Sequence, residues 1–195
     1  MSYDDEVRFW DEKFSSKHEE GDIKGVGWNS QDALLIRYYE ILKHLSSGER
    51  ILDVGCGYGL LYKFLTCVPG FDASNYTGTD IQEKLINFCR KKYPEVSWEV
   101  RTFLDGVEEK FDSMVFCGAL ARTSVPEVTE IVKRGLELSD KLIISFCCHK
   151  APVHTEGIWF PKISEMVSAI EDLDGVKFEI YHGYLDHDVL FVIYT

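Results

Sequence analysis

The chain has no C-x-x-C pair among its six cysteines, which stand at 56, 67, 89, 117, 147 and 148. That spacing offers no familiar zinc framework, and the adjacent Cys147 and Cys148 are poorly placed to hold a metal together. Reduced core thiols and no metal site are expected. The chain is also short of cations, with 33 acidic residues against 21 basic ones, a formal net charge of −12, and no basic cluster longer than Arg90-Lys91-Lys92. Long-range attraction to a nucleic-acid backbone is therefore disfavoured. No apolar run reaches membrane-spanning length, and the start, Met-Ser-Tyr-Asp-Asp-Glu, lacks a basic segment followed by an apolar one. Neither a membrane association nor a secretory signal is expected, and the reading is of a soluble, cytoplasmic protein. No internal repeat or low-complexity segment stands out.

What is present suits a globular domain. A length of 195 residues with 45% apolar content can bury a sizeable core. Residues 1–48 read as a helical prefix packed on the remainder, 49–195. Val7, Trp10 and Phe14 follow helical spacing. A turn at 21–27 precedes a second helix, capped by Asn29 or Ser30, whose apolar stripe is Leu34, Leu35, Tyr38, Ile41, Leu42 and Leu45. From residue 50, strand-like segments at 50–54, 76–80, 97–101, 112–117 and 140–147 alternate with helical ones at 82–92 and 126–138. That alternation is the pattern of a parallel sheet covered by helices on both faces. After a further helix marked by Ile163, Met166, Val167, Ile170 and Leu173, the segments 176–182 and 188–194 lie too close for a helical crossover and must pair antiparallel.

The most informative stretch is Ile51-Leu52-Asp53-Val54-Gly55-Cys56-Gly57-Tyr58-Gly59. An apolar strand runs into three glycines at spacing two, and Leu60, Leu61, Phe64 and Leu65 then recur at helical spacing. This predicts a strand-to-helix turn that lets a ligand lie against its backbone, with free N–H groups pointing outward. The spacing departs from the dinucleotide pattern G-x-G-x-x-G, and Asp53 would repel a pyrophosphate while favouring an ammonium group. Asp80 follows 25 residues beyond Gly55, at the end of the second strand, where a carboxylate can accept hydrogen bonds from both ribose hydroxyls or cap the next helix.

With these residues in view, the chain resembles the class I S-adenosylmethionine (SAM)-dependent methyltransferases, from about residue 50 to the C-terminus. The prefix segment Gly25-Val26-Gly27-Trp28-Asn29-Ser30 through Arg37-Tyr38 is similar to that of small bacterial and phage methyltransferases of unassigned substrate. The resemblance implies a Rossmann-like α/β fold with a mostly parallel seven-stranded sheet and a C-terminal antiparallel hairpin. It implies SAM as cofactor and S-adenosylhomocysteine as its product. By the same resemblance Gly55, Cys56, Gly57 and Gly59 form the cofactor turn, Asp80 takes the ribose and Ile81 packs on adenine. The family's acid at the adenine edge is matched here by Thr102, with Asp105 as the other candidate and Phe103 as a packing contact. Cys117, Gly118 and Ala119 should lie beside the methionine end, Cys117 as a small buried hydrophobe rather than a reactive thiol. Trp28 and Arg37 are candidates for closing over the cofactor, Arg37 through its planar fork on the cofactor carboxylate.

Methyl transfer from a sulfonium is an in-line displacement, so alignment and exclusion of water come first, and a base matters only when the nucleophile must lose a proton. His149, His154, His182 and His187 are available, and His149, following the fifth strand, is the preferred catalytic candidate. The stretch 149–160 is expected at the substrate mouth. The fourth strand ends in Cys117-Gly118-Ala119-Leu120, without the Asn/Asp-Pro-Pro-aromatic run of amino-targeting nucleic-acid methyltransferases. A small-molecule acceptor at O, N or S is expected. A tRNA or protein methyltransferase, a catalytically silent cofactor-binding module and, more remotely, an NAD-type oxidoreductase are the alternatives.

Overall fold

The computed structural model describes residues 3–152 and 154–195. Met1 and Ser2 of the N-terminal segment, and Val153 within 149–160, lie outside the described residues. Strands β1 (Ile51–Val54), β2 (Tyr76–Asp80), β3 (Ser97–Val100), β4 (Phe111–Cys117), β5 (Ser139–Cys147), β6 (Lys177–His182) and β7 (Asp188–Tyr194) form one sheet. Their order is β3-β2-β1-β4-β5-β7-β6. The first five run parallel, while β7 is antiparallel to both β5 and β6, as the short 183–187 connection requires. Chain order reverses between β1 and β4, which opens a crevice at the carboxyl ends of these strands.

Among the described residues six α-helices accompany the sheet: α1 (Tyr3–Trp10), α2 (Gln31–Leu42), α3 (Leu60–Thr66), α4 (Glu83–Lys92), α5 (Val125–Leu138) and α6 (Ile163–Ile170). Successive strand residues point to opposite faces, and both faces are covered at the middle of the sheet, so β4, β5 and β7 carry long apolar runs while the edge strands β3 and β6 do not. On one face Ile51, Val115, Ile143 and Leu190 pack with Ile41, Leu61 and Ile86. On the other, Leu52, Met114, Leu142 and Phe191 pack with Val128, Val132 and Met166. Asp53 sits two residues after Ile51 and so faces the α2 and α3 side. Local signals set the helix starts. Ser30 Oγ accepts a hydrogen bond from the Ala33 N–H at 3.2 Å, and Glu127 accepts one from the Ser124 N–H at 2.7 Å just before Pro126.

Two expectations for the prefix are corrected. Leu35 is 44% exposed and does not belong to the buried stripe of α2, which runs through Leu34, Tyr38 and Ile41 and also buries Arg37. Leu35 follows Leu34 by about 100° around the helix and falls outside a face already filled at that spacing. The first helix passes at Asp11 into a π-helical turn through Ser15, which sets the Trp10 and Phe14 rings 5.4 Å apart. Polar contacts fasten residues 3–15 to the sheet end. The Tyr3 hydroxyl donates to the Ile81 carbonyl at 3.0 Å and Ser15 to Gln82 Oε1 at 2.8 Å, Glu6 accepts from Arg122 Nε at 2.8 Å, and Asp11 pairs with Lys84. Among the described residues no helix is long and apolar enough to cross a membrane.

Candidate functional site

The crevice holds a cavity of about 610 Å³. Its wall includes the turn between β1 and α3, where Gly55 has φ +75° and a side-chain Cβ would come within 2.6 Å of the Ala119 Cβ. The N–H groups of the turn's three glycines and of Cys56 do not point outward as expected. Those of Gly55 and Cys56 donate to the Thr79 carbonyl at 2.8 and 2.9 Å, that of Gly57 to Asp80 Oδ2 at 3.0 Å, and that of Gly59 to the Cys56 carbonyl at 3.0 Å. The end of β2 has taken up the donors that a phosphate cradle would present.

Asp80 is buried and organises both sides of this junction, since its other oxygen, Oδ1, accepts from the Gln82 N–H at 2.9 Å at the start of α4. A carboxylate offers about four acceptor sites, so roughly two remain for a ligand. Burial raises its pKa, against the lowering effect of these backbone hydrogen bonds. Asp53 is also buried in the wall, and the Tyr76 hydroxyl donates to it. Burial pushes Asp53 up to about 7, opposed by the Tyr76 hydrogen bond and reinforced by the nearby charge of Asp80. A carboxyl held there is ready to ionise against an ammonium group.

Ile81, Gln82, Arg101, Thr102 and Phe103 line the cavity beyond Asp80. Thr102 is half-buried in the wall, whereas Asp105 is exposed and borders a separate shallow depression. Of the two adenine-edge candidates, only Thr102 therefore meets the cavity. Phe103 has φ +48°, the one positive value among described non-glycine residues. That backbone costs an L-residue about 1–2 kcal/mol and keeps the ring at the wall.

At the end of β4, Cys117, Gly118 and Ala119 line the cavity as expected, and the Trp28 ring lies so near that a Cβ on Gly118 would be 3.0 Å from it. Burial raises the Cys117 thiol far above its ordinary range and that of Cys147 to about 12, so neither is a thiolate nucleophile near neutrality. Arg37 stacks over Trp28 at 4.4 Å and forms a buried ion pair with Asp188, to which Nη2 donates at 2.8 Å. Cys147 Sγ donates to the same Asp188 carboxylate at 3.1 Å. Nε and Nη2 face Asp188, leaving Nη1 without a protein partner among the described residues.

Residues 51–138 match the family model described as "Methyltransferase domain". This segment is a methyltransferase domain. Among curated relatives, the chain is 31% identical over 107 residues to a ribosomal protein L11 methyltransferase of Dictyoglomus turgidum, covering 53% of this chain and 34% of that protein. It is 33% identical over 96 residues to a fatty-acid O-methyltransferase of Mycolicibacterium smegmatis, covering 46% and 32%. The chain thus spans about a third of the length of these two relatives. A solved magnesium protoporphyrin IX methyltransferase from Synechocystis, with bound SAM, superposes with a TM-score of 0.66 at 14% identity over 100% of this chain and 97% of that one. That likeness is one of fold.

The rest of the methyltransferase domain's cavity comes from distant segments. Trp10, Phe14 and Glu6 enter from the prefix, Ile158 to Pro161 from the loop after β5, Met166 from α6, and Leu185 to Asp188 from the hairpin. His149 is not among these lining residues. It is exposed, and its carbonyl lies 3.1 Å from His154 Nε2, whose ring stacks on Phe160 at 4.5 Å. His182 is exposed on β6. The imidazole at the wall is that of His187, with its Nδ1 buried and without a hydrogen-bond partner. Sequence reasoning missed Asp188 and the lining roles of Trp10 and Phe14. A polar Asp186-His187-Asp188 run abutting the apolar β7 was the available signal.

Proposed function

We propose that the chain is a SAM-dependent methyltransferase that transfers a methyl group in line to O, N or S of a small molecule. The observation that carries this is the pair of buried acids, Asp53 and Asp80, around a turn whose glycine N–H groups are already engaged. Such a turn suits a ligand with hydroxyls and an ammonium group, and it does not suit a pyrophosphate. The cavity residues fit SAM: Asp80 would take the ribose hydroxyls, Ile81 and Phe103 the adenine faces, and Thr102 the adenine amino group. Asp53 would take the ammonium group and Arg37, through its unpartnered Nη1, the carboxylate, with Gly55 to Gly59, Cys117 and Gly118 as backbone and small-residue walls. When bound, SAM supplies an electrophilic methyl on a sulfonium.

The chain's own residues would orient the reactants and keep water out. The prefix, residues 1–48, acts as a lid through Trp10, Phe14 and Trp28, fastened by its contacts to Ile81, Gln82 and Lys84. His187 would receive a proton from an acceptor that carries one, so His187→Asn should lower turnover more than His149→Asn. A small acceptor agrees with the net charge of −12. Calorimetry with S-adenosylhomocysteine should give one site per chain, weakened by Arg37→Ala, while NADH should give no heat. Tight NADH binding without S-adenosylhomocysteine binding would overturn the reading. Labelled methyl transfer to a fractionated cell extract separates an enzyme from a silent cofactor-binding module.

A further inference from the structure

The half of the cavity that the cofactor would not occupy has a composition of its own. Trp10, Phe14, Ile158, Trp159, Phe160 and Met166 line it, contributed by three segments that meet only in the folded chain. Four of these six are aromatic. Several are held in place by hydrogen bonds or ring stacking. The Trp10 indole N–H donates to Glu6 at 2.7 Å, the Trp159 backbone N–H donates to the Ala121 carbonyl at 2.6 Å, and Phe160 is backed by the stacked His154 ring.

The cations around this half, and Glu6, are already engaged. Glu6 is held by Arg122 as well as by Trp10. Arg37 and Arg101, the two lining arginines, face Asp188 and Glu99 respectively, and no lysine lines the cavity among the described residues. An acceptor bearing a phosphate or carboxylate would give up its hydration without gaining a free cation. A cationic acceptor fares little better, because Arg37 already covers the Trp28 ring at 4.4 Å, Glu6 is engaged, and Asp186 is exposed, so that water screens its charge.

We infer that the methyl acceptor is an uncharged, flat aromatic molecule that packs among Trp10, Phe14, Trp159 and Phe160. Ring-on-ring packing rewards a flat partner beyond the area it buries, which separates it from an aliphatic chain of similar size. This rests on the reading of the chain as a methyltransferase.

The test is calorimetry on the full chain saturated with S-adenosylhomocysteine, titrated with 2-naphthol, 2-naphthyl phosphate or 1-decanol. The expected result is one site for 2-naphthol, with the other two at least about tenfold weaker. Trp159→Ala should weaken 2-naphthol by about tenfold and leave S-adenosylhomocysteine affinity unchanged, with Trp159→Phe restoring most of the loss. Should Trp159→Ala not fold, Phe14→Leu, which keeps an apolar side chain and removes the ring, should weaken 2-naphthol in the same direction. Equal or tighter binding of the phosphate or of decanol overturns the inference, as does S-adenosylhomocysteine binding with no heat from 2-naphthol. Failure of S-adenosylhomocysteine itself to bind overturns the methyltransferase reading and the inference with it.

Discussion

The two walls of the cavity are held by different interactions. The wall at β1 and β2 lies within residues 53–82 and is fixed mainly by backbone hydrogen bonds, with the turn's N–H groups ending on Thr79 and Asp80. The opposite wall attaches Arg37 of α2, through its side chain alone, to Cys147 of β5 and Asp188 of β7, which are register partners in the sheet and stand up to 151 positions from Arg37. The first wall is as stable as the strand pairing beneath it. The second exists only once the prefix and the hairpin have both docked.

The sharpest way to break this contrast is Asp188→Ala. Removing it leaves the Arg37 guanidinium buried without its counter-charge, an expected loss of about 3–5 kcal/mol in urea unfolding. Arg37→Met in the same chain should recover most of that loss, since the cost arises from the unpaired charge. A loss below about 1 kcal/mol would mean that this wall does not depend on the pair.

Asp80→Asn probes the first wall. It keeps the shape but removes the charge and half of the acceptor capacity, and S-adenosylhomocysteine affinity should fall by about 100-fold, or ~2.7 kcal/mol. Unchanged calorimetric affinity would take Asp80 out of the ribose role.

A smaller effect distinguishes the walls by pH. The folded pKa of Asp53, about 7, lies above the ordinary carboxyl value. The native chain therefore keeps a proton that the unfolded chain releases, and this group's contribution to stability falls as pH rises from about 4 to about 7. Binding runs the other way, because an ammonium partner needs the ionised form. S-adenosylhomocysteine affinity should improve by about eightfold between about pH 6 and pH 7.5, and Asp53→Asn should flatten both trends. Equal slopes in wild type and variant would remove Asp53 from contact with the ligand. The smallest effect expected is that of His149→Asn, which should change turnover by less than about twofold because the side chain is exposed outside the cavity wall.

The same division decided what was legible in the sequence. The strands, the turn, the antiparallel hairpin and the lining positions of Asp53 and Asp80 follow from short-range patterns, where periodicity and glycine spacing dictate the backbone. Thr102 could be named but not separated from Asp105, since which of them turns inward depends on the positive φ at Phe103 between them. Asp188 was illegible because its partner is far away in sequence. Leu35 lies outside its expected buried stripe while Arg37 of the same helix is buried, for a related reason. An apolar stripe predicts which face of a helix is buried, yet a buried carboxylate opposite can draw an arginine inside instead. His187 was preceded by His149 in the reading because proximity to a strand end was the only available measure.

Asp80 grips the glycine turn with one oxygen and the start of α4 with the other. The backbone order that a ligand would otherwise have to impose is thus established when the chain folds, and little of the binding free energy is lost to freezing the turn. Association at this wall becomes a question of access rather than of rearrangement. The speed of binding should follow how often the prefix lets go of Ile81 and Gln82, and loosening that prefix should hasten both arrival and departure.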